Sequence, residues 1–257
     1  MRRATPARVA APRAGECGTI PAMTMLWQPS EEHLRDLPLT RFAQQVEAAT
    51  GHCFEDYAAL HAWSVEEAED FWRAAWSFLD LQGEPGETVI DDLHQMPGAS
   101  WFPHGRVSFA GTILREADDR PAIRARGEHQ SQWRTITRRE LHEMVGAAAE
   151  AMRQAGVVEG DRVVGYLPNI PETIVSMLAA STLGAIWSSC SPDFGVRGVL
   201  DRFERLEPKL LVCCDGYAYG GKRIDCRPRT AEILEALAKT TASAPVSYTH
   251  LRAHETS

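Results

Sequence analysis

The sequence has no long uninterrupted apolar run and no excess of positive charge. A helix that spans a membrane needs roughly 20 consecutive apolar residues, and no segment of this chain approaches that length. Its 257 residues include 27 Lys and Arg against 35 Asp and Glu, which gives a formal net charge of −8. Proteins that bind nucleic acid through its phosphates usually carry the opposite balance. We therefore expect neither a membrane-spanning nor a nucleic-acid-binding protein.

The six cysteines lack the spacing of a zinc site. No C-x-x-C pair occurs, and no histidine pattern of the zinc-site type accompanies the cysteines. We therefore expect no metal site. Cys213 and Cys214 are adjacent in an apolar run, which predicts two small buried residues of a strand. Thiols of this kind fit the reducing cytoplasm, which is the predicted location.

Motifs of several enzyme classes are also missing. The turn at 167–172 contains no G-x-G-x-x-G, which removes the main support for a dinucleotide-binding Rossmann domain. No G-x-S-x-G or H-E-x-x-H spacing occurs. The run from Gly216 to Lys222 spells G-x-x-x-x-G-K, but Arg223 stands where a P-loop needs Ser or Thr, and Pro228 disfavours the helix that should follow. Two interpretations of this turn stay open: a flexible loop whose Lys222 and Arg223 hold a ligand phosphate, and an exposed polar loop.

The chain contains 44% hydrophobic and 24% charged residues, which is typical of a folded protein with a hydrophobic core. From Trp27 to about Leu81 the apolar spacing predicts short helices, one of which ends at Gly51. Ser64 and Glu67 predict a capping box that begins another helix. We expect the apolar stripe of that helix to face the core, which favours buried tryptophans over a platform for stacking bases. The stripe consists of Ala68, Phe71, Trp72, Ala75, Trp76 and Leu79.

The second half of the chain alternates between strand and helix patterns. Strands near 121–126 and 135–137 precede a helix that the pair Thr137 and Glu140 caps and that Gly156 ends. Five segments then follow in the order strand, helix, strand, helix, strand: 163–167, 173–183, 185–189, 195–206 and 209–214. The predicted fold class is therefore α/β, a helical N-terminal region followed by an open parallel-sheet βαβαβ unit. Ligands of such sheets bind at the carboxyl ends of the strands.

Several segments carry a family resemblance: WSVEEAEDFWRAAWSF, MPGASWFP, GDRVVGYLPNIPETIVSMLAASTLGAIWSSCSPDFG and DGYAYGGK. Together they resemble the N-terminal part of the acetoacetyl-CoA synthetases, a subgroup of the AMP-forming (adenylate-forming) acyl-CoA synthetase superfamily. The resemblance extends from about Leu26 to about Lys239, and WSSCSPDFG with DGYAYGGK distinguishes this subgroup from the acetyl-CoA synthetases. It implies that the βαβαβ unit is the first subdomain of an adenylate-forming ligase.

The reaction implied by this resemblance joins acetoacetate to CoA with consumption of ATP. The carboxylate attacks ATP to form an acyl-adenylate and pyrophosphate, and the CoA thiolate then displaces AMP. The implied substrates and cofactors are acetoacetate, ATP, CoA and Mg²⁺, with no nucleic acid or membrane as partner. The oligomeric state stays open. So does the alternative that the enzyme is a ligase for another short-chain carboxylate.

The resemblance also implies where CoA binds. By alignment with the acetyl-CoA synthetases, Ser191, Pro192 and Asp193 fall in a loop that lies against the CoA adenine, and Lys222 replaces an arginine near the CoA phosphates. Ser191 and Tyr219 depart from the relatives' pattern, which has an aromatic residue and a second arginine there. No catalytic residue is implied, because the family's Ser/Thr/Gly-rich phosphate loop and its C-terminal adenylation lysine have no counterpart in this sequence. We expect the 257-residue polypeptide to be inactive by itself.

The same resemblance divides the chain into four parts. Residues 1–22 are predicted to be a disordered extension or the product of a miscalled start, because they are Arg-rich and acid-poor. Residues 23–115 correspond to the acetyl-CoA-synthetase-like N-terminal region, and residues 116–243 to the first part of the AMP-binding domain. Residues 244–257 show neither helical period nor strand alternation and are predicted to be a non-native tail, with natural truncation as the alternative. A non-catalytic CoA- or nucleotide-binding module, or an interaction module with Trp-rich helices, stays open as a different function.

Overall fold

The computed structural model describes residues 27–240 and 247–251, which form a mixed α/β fold. The helices are α1 (Glu31–Arg35), α2 (Pro38–Thr50), α3 (Tyr57–Glu66), α4 (Ala68–Phe78), α5 (Phe109–Leu114), α6 (Arg138–Gln154), α7 (Pro171–Thr182), α8 (Val196–Phe203) and α9 (Arg227–Thr240). The strands are β1 (Gly83–Glu84), β2 (Ile90–Asp91), β3 (Ser100–Trp101), β4 (Arg106–Val107), β5 (Pro121–Ala125), β6 (Arg134–Thr137), β7 (Arg162–Tyr166), β8 (Ile186–Cys190), β9 (Leu210–Cys214), β10 (Gly216–Tyr219), β11 (Lys222–Asp225) and β12 (Ser247–Leu251).

The chain divides after Leu60 into two compact units. In the first unit, α1 begins after Ser30, whose hydroxyl accepts a hydrogen bond from the first turn of the helix. α2 ends at Gly51, where a φ of 78° gives the left-handed conformation that glycine adopts without steric cost. Phe42 and Val46, one helical turn apart, are the buried residues of α2. The helices and the glycine cap predicted here are confirmed.

Ser64 does not begin a helix, so the capping box predicted there is wrong. It lies inside α3, where its hydroxyl donates a hydrogen bond to the carbonyl of His61 at 2.7 Å. α4 begins after Glu67, which provides no side-chain cap. The Ser-x-x-Glu spacing misled because a serine inside a helix can satisfy its hydroxyl on the preceding turn.

In the second unit, aromatic side chains of α3 and α4 pack on one another and on the connector that follows. Trp63 is 6% exposed and meets Phe71 edge-on, with the ring centroids 5.9 Å apart. The ring of Trp76 lies 4.8 Å from that of Phe102. This packing agrees with a structural role for the tryptophans. Trp72 is nevertheless 40% exposed, so the apolar stripe of α4 is only partly buried.

β5 and β6 form an antiparallel hairpin that leads directly into α6. The predicted capping box is present at the start of α6: Thr137 and Glu140 each accept, through their side chains, a hydrogen bond from the other's backbone N–H. Gly156, just past the end of the helix, has a φ of 85°. The predicted left-handed end of α6 is therefore confirmed.

A parallel sheet with the strand order β12-β9-β7-β8 lies in the second unit. β7 is flanked by β8 on one side and β9 on the other. The chain runs from β7 through α7 to β8, and then back past β7 through α8 to β9. Because such crossovers are right-handed, this reversal places α7 and α8 on opposite faces of the sheet. α6 packs against α7, and α9 packs against α8. The predicted open βαβαβ unit is confirmed.

The two central strands, β7 and β9, are nearly continuous apolar runs, as expected of strands covered on both faces. All five residues of β9 are buried, and Val163, Val164 and Tyr166 of β7 are completely inaccessible. Cys213 and Cys214 are 0% and 1% exposed, which confirms that they are small core residues. Among the described helices none combines the length and the apolarity needed to cross a bilayer.

β12 was not predicted from the sequence. Its five residues pair parallel to β9, with Ser247 opposite Leu210. The backbone groups of an edge strand can pair with any extended segment, so such a strand needs no side-chain alternation. Whether residues 244–257 are native stays a prediction. Residues 1–22 lie outside the described residues, and the interpretation given for them stays a prediction too.

Candidate functional site

Three connections leave the carboxyl edge of the parallel sheet on neighbouring strands. They follow β7 at 167–170, β8 at 191–195 and β9 as the hairpin β10–β11. Because β7 lies between the other two strands, the connections after β8 and β9 can meet above its end. The order in which strands are added to the sheet reverses at β7, with β8 on one side and β9 on the other, and open α/β sheets bind their ligands in the crevice at this kind of reversal.

Tyr166, the last residue of β7, fixes the turn after β8. Its hydroxyl lies 2.9 Å from the carbonyl oxygen of Pro192 and 3.1 Å from that of Phe194, so that its proton is shared between two acceptors of the same turn. The Nη1 atom of Arg229, in α9, donates a third bond to the Pro192 carbonyl at 3.1 Å. Burial raises the pKa of Tyr166, which keeps the phenol protonated as a donor. The turn is thus held by β7 and α9 together.

Asp193 links the turn to the hairpin that follows β9. The hydroxyl of Tyr217, in β10, donates to one carboxylate oxygen of Asp193, and the Ser191 hydroxyl donates to the other at 2.9 Å. These two hydrogen bonds lower the pKa of Asp193, because both stabilise the carboxylate. The pKa of Tyr217 is raised by burial and by its bond to Asp193. At neutral pH the pair is therefore an ionised carboxylate and a protonated phenol.

Lys222 lies at the other end of this hairpin. The ladder pairs Tyr217 with Ile224 and Tyr219 with Lys222, so these four residues share one face of the hairpin. Tyr217 contacts Asp193 from this face. Lys222 therefore lies on the same face as the contact with the 191–195 turn, two residues farther along the hairpin from the parallel sheet. Its side chain is exposed and makes no ion pair with any residue that the structure describes.

The run from Gly216 to Lys222 is not a phosphate-binding loop of the P-loop type. It is a strand followed by the two-residue turn Gly220-Gly221, with φ values of 57° and 75°. Positive φ at both positions is the type I′ geometry that favours a tight hairpin, and glycine adopts it freely. No helix begins at Lys222, because β11 begins there instead.

Contacts at both ends hold the hairpin in place. At its tip, the backbone N–H of Gly221 donates to the carboxylate of Glu128, in the loop between β5 and β6, at 3.1 Å. At its base, Asp225 accepts two hydrogen bonds from the guanidinium of Arg227. The Arg227 guanidinium and backbone N–H lower the pKa of Asp225 to about 2. The position of Lys222 is therefore fixed at the backbone level.

The structure brings together only some of the residues that the family resemblance assigned to CoA binding. Ser191, Pro192 and Asp193 form one turn, as their adjacency requires. Most of their polar groups already form hydrogen bonds with other residues of the chain. Lys222 is on the neighbouring hairpin and touches none of the three through a hydrogen bond or ion pair. Sequence reasoning missed the three residues that support the turn: Tyr166, Tyr217 and Arg229. A tyrosine in an otherwise apolar strand was a signal for the first, because a buried phenol needs a hydrogen-bond partner.

The described residues at this edge include no cluster of metal ligands, and Cys214 is not an activated thiol. Among residues 27–240 and 247–251, no group of three His, Cys, Asp or Glu side chains is placed to hold a metal ion. Cys214 is buried, and its pKa is raised by its hydrogen bond with Cys226 and by burial, so it is a thiol and a poor nucleophile at neutral pH. The arrangement of a rigid turn and an exposed lysine is suited to binding an anionic ligand.

The chain matches two family models. Residues 112–256 match the model described as AMP-binding enzyme, and residues 57–110 match the acetyl-coenzyme A synthetase N-terminus. The first match covers more than half of the chain and includes the parallel sheet, the turn at 191–195 and the hairpin β10–β11.

Similar proteins include acetoacetyl-CoA synthetases from distant organisms. The chain is 42% identical to that of Rhizobium meliloti (strain 1021) over 220 residues, which are 86% of this chain and 34% of the relative. It is 38% identical to that of Macaca fascicularis over 216 residues, 83% of this chain and 32% of the relative. The solved structure of the Streptomyces lividans acetoacetyl-CoA synthetase matches with a TM-score of 0.79 and 38% identity, over 89% of this chain and 37% of that one. The chain thus spans about a third of the length of the curated relatives it matches.

Proposed function

Since this chain belongs to the AMP-binding enzyme family, we propose that it forms the N-terminal part of an AMP-forming acid–thiol ligase that acts on acetoacetate. Such an enzyme converts the acetoacetate carboxylate and ATP into an acyl-adenylate and pyrophosphate, and then transfers the acyl group to CoA with release of AMP. The observation that carries this proposal is the structural likeness to the Streptomyces lividans enzyme, which extends over nearly the whole chain.

CoA is assigned to the carboxyl edge of the sheet. In this assignment the turn formed by Ser191, Pro192 and Asp193 lies against the adenine, and the ammonium of Lys222 approaches the CoA phosphates. Two observations support it: the turn is held rigidly by hydrogen bonds from β7, β10 and α9, and Lys222 is an exposed cation without a described partner on the adjacent hairpin face. When bound, CoA supplies the thiolate that accepts the acyl group.

ATP and Mg²⁺ complete the proposed cofactors, and neither is assigned to residues of this chain. We place the reaction in the cytoplasm, because the buried cysteines are free thiols of the kind that a reducing compartment maintains. The proposed organisation is an extension at 1–22, an acetyl-CoA-synthetase-like region at 23–115, the first part of the AMP-binding domain at 116–243, and a tail at 244–257. We further propose that the 257-residue polypeptide does not complete the reaction by itself.

A chimera tests the proposed function. Residues 27–240 of this chain would replace the matching segment of the Streptomyces lividans acetoacetyl-CoA synthetase, and acetoacetyl-CoA formation would be measured with ATP, CoA and acetoacetate. We expect kcat within about tenfold of the parent enzyme, because the transplanted part supplies binding surface while the chemistry lies elsewhere. A chimera that folds, as judged by circular dichroism and thermal unfolding, but forms no acetoacetyl-CoA would contradict the proposal.

The CoA assignment is tested in the same chimera with Lys222→Gln. We expect KM for CoA to rise about three- to tenfold with little change in kcat, since an exposed charge-assisted contact contributes to CoA binding and not to adenylation. Lys239→Gln is the matched control, because Lys239 is an exposed lysine of α9, outside the hairpin, that is already paired with Glu235. An equal rise of KM in both variants, or no rise in Lys222→Gln, would argue against CoA at this edge.

A further inference from the structure

The hairpin β5–β6 has one face on the core and one face in solvent. Ile123 lies opposite Ile136, which is 3% exposed, so this face is directed inward. Arg124 lies opposite Thr135 on the other face, and both are exposed. The same register carried one position further places Arg126 opposite Trp133 on that outer face as well.

Arg124, Arg126 and Trp133 form a compact cluster on this outer face, which we call the Arg-Trp cluster. The guanidinium carbon of Arg124 lies 5.2 Å from the centroid of the Trp133 ring, and that of Arg126 lies 4.9 Å from it. Trp133 is nevertheless 52% exposed. One exposed indole therefore brings two guanidinium groups together at the surface.

Neither arginine of the Arg-Trp cluster has a carboxylate partner among the residues that the structure describes. This differs from other arginines of the same region: Arg134, on the inner face of the hairpin, pairs with Glu172 at 2.7 Å, and Arg139 pairs with Asp119 at 3.1 Å. The two guanidinium carbons lie 5.2 and 4.9 Å from the same ring centroid, so they are at most about 10 Å apart. Like charges at a separation comparable with the Debye length of about 8 Å at physiological salt repel each other. An anion bound between them would remove this repulsion.

The chemistry of a stacked guanidinium points to a phosphate as that anion. Stacking on an aromatic ring uses the flat face of the group and leaves its N–H edge free for two parallel hydrogen bonds. Phosphate oxygens accept such bidentate bonds, and the charge on both partners strengthens them. Because the ring already orders the two guanidinium groups, less conformational entropy is lost on binding than with free arginine side chains.

The position of the Arg-Trp cluster relates it to the hairpin β10–β11. The loop that follows Arg126 carries Glu128, which accepts a hydrogen bond from the N–H of Gly221, the residue before Lys222. The two hairpins are therefore in direct contact at their tips. The Arg-Trp cluster and Lys222 are thus on hairpins in contact, and a phosphorylated ligand that reached both hairpins would meet cations from each.

We propose that the Arg-Trp cluster is a binding site for a phosphate group, formed by Arg124 and Arg126 on the ring of Trp133. Two sources of that phosphate share the chemistry: the phosphorylated adenosine end of CoA, and a free diphosphate. The CoA source rests on the proposed function, whereas the affinity for a phosphate group does not.

Isothermal titration calorimetry of the 257-residue chain with inorganic pyrophosphate at low salt measures the affinity of the site. We expect the double variant Arg124→Gln/Arg126→Gln to bind at least about tenfold more weakly than the unaltered chain. The matched control is Arg41→Gln/Arg73→Gln, which removes the same charge from exposed helical positions and is expected to change the affinity by less than about twofold. Absence of measurable binding by the unaltered chain, or equal affinity of the double variant and the unaltered chain, would overturn the proposal.

A charge-conserving variant distinguishes a specific guanidinium site from non-specific electrostatic attraction of the anion. Arg124→Lys/Arg126→Lys keeps both charges but loses the planar fork, so we expect an affinity between those of the unaltered chain and the glutamine variant. Full retention of affinity by the lysine variant would reduce the effect to net charge and overturn the proposal. Trp133→Leu removes the ring that orders the arginines and is expected to weaken binding while leaving the net charge unchanged.

Titrations with CoA and with dephospho-CoA distinguish the two sources. If the Arg-Trp cluster holds the 3′-phosphate of CoA, the glutamine variant weakens CoA binding and leaves dephospho-CoA binding unchanged. If it takes a free diphosphate, the variant loses pyrophosphate binding alone. Either result supports the site. Failure of every form of the chain to bind CoA would count against the proposed function, while retained and variant-sensitive pyrophosphate binding would still support the site.

Discussion

At the scale of single residues, two tyrosines account for the shape of the candidate site. Tyr166 donates to the backbone of the turn from inside the sheet, and Tyr217 donates to the Asp193 carboxylate from the neighbouring hairpin. Both phenols have raised pKa values and stay protonated at neutral pH, so both remain donors. The turn that was expected to contact a ligand is thus a rigid surface, and the side chain of Asp193 serves mainly to hold it.

The variant Tyr217→Phe tests this role of Tyr217. It removes one of the two hydrogen bonds that stabilise the ionised carboxylate, so we expect the pKa of Asp193 to rise toward its ordinary value of about 4. Because the lowered pKa belongs to the folded state, its stabilising contribution is present above that ordinary value and is lost as the pH falls through the folded-state pKa. The variant should therefore show less loss of stability on acidification.

The measurement is a carbon-13 NMR titration of the Asp193 carboxyl group, with acid unfolding followed in parallel. Tyr219→Phe is the matched control, since Tyr219 is on the same face of the hairpin, 68% exposed and two residues closer to the tip. An Asp193 pKa that stays unchanged in Tyr217→Phe, or that rises equally in both variants, would contradict the proposed link between turn and hairpin.

At the scale of elements, the two Ser/Thr-x-x-Glu sequences of this chain behave differently. Thr137 and Glu140 form a true capping box because the backbone at Thr137 is extended, with a φ of −74° and a ψ of 165°, and the helix begins after it. Ser64 lies inside a helix, and the helix that follows begins four residues later, at Ala68. The spacing alone cannot separate these cases, because the conformation of the first residue decides whether its oxygen faces the free N–H groups.

Paired alanine substitutions should give opposite results at these two positions. Thr137→Ala removes the cap of α6 and should lower the free energy of unfolding by about 1 kcal/mol. Ser64→Ala replaces a helix-interior serine with a better helix former, and should leave that free energy unchanged or raise it by up to about 0.5 kcal/mol. Urea denaturation followed by circular dichroism measures both. A loss of similar size in Ser64→Ala would mean that Ser64 acts as a cap in solution.

The hairpin β10–β11 shows how one sequence pattern can be shared by different elements. Gly216 to Lys222 has the spacing of a P-loop, yet the two adjacent glycines close a tight turn between antiparallel strands. A P-loop needs its last residues to begin a helix, and here they begin a strand that pairs back on β10. The mismatch at Arg223 and the proline at position 228 were the sequence features that argued correctly against a P-loop.

At the scale of the whole molecule, the parallel sheet is consistent with the AMP-binding enzyme family to which the chain belongs. The reversal of strand order at β7 creates one edge where three connections meet, and the residues expected to bind CoA are on two of them. The family resemblance implies a Ser/Thr/Gly-rich phosphate loop for the whole enzyme, and we expect no counterpart of it in these 257 residues. Adenylation requires the ATP phosphates to be held and neutralised while the carboxylate attacks.

We therefore expect the purified 257-residue polypeptide to show no ATP-dependent formation of acetoacetyl-CoA. Release of pyrophosphate in the presence of acetoacetate and ATP should also stay at the background level, because the first half-reaction lacks its phosphate loop. A coupled pyrophosphate assay and chromatographic detection of acetoacetyl-CoA measure the two steps. The chimera described above is the positive control, and turnover by the polypeptide alone would refute this expectation.

The sequence by itself determined the local features of this protein. The apolar runs of β7 and β9, the capping box at Thr137 and the left-handed glycines Gly51 and Gly156 follow from interactions within a few residues, and the βαβαβ order follows from their succession. Residues 191–193 were identifiable as one turn for the same reason, since they are adjacent in the chain. The resemblance supplied the expected ligand.

Only the tertiary structure decided which distant residues meet at the edge of the sheet. The support of the turn by Tyr166, Tyr217 and Arg229 depends on β7 lying between β8 and β9, a strand order that tertiary packing sets. The Arg-Trp cluster likewise depends on the register of β5 and β6, because a shift by one residue would turn its side chains to the other face. Contacts between residues far apart in the chain have no periodic signal, and so they were not predictable from this one sequence.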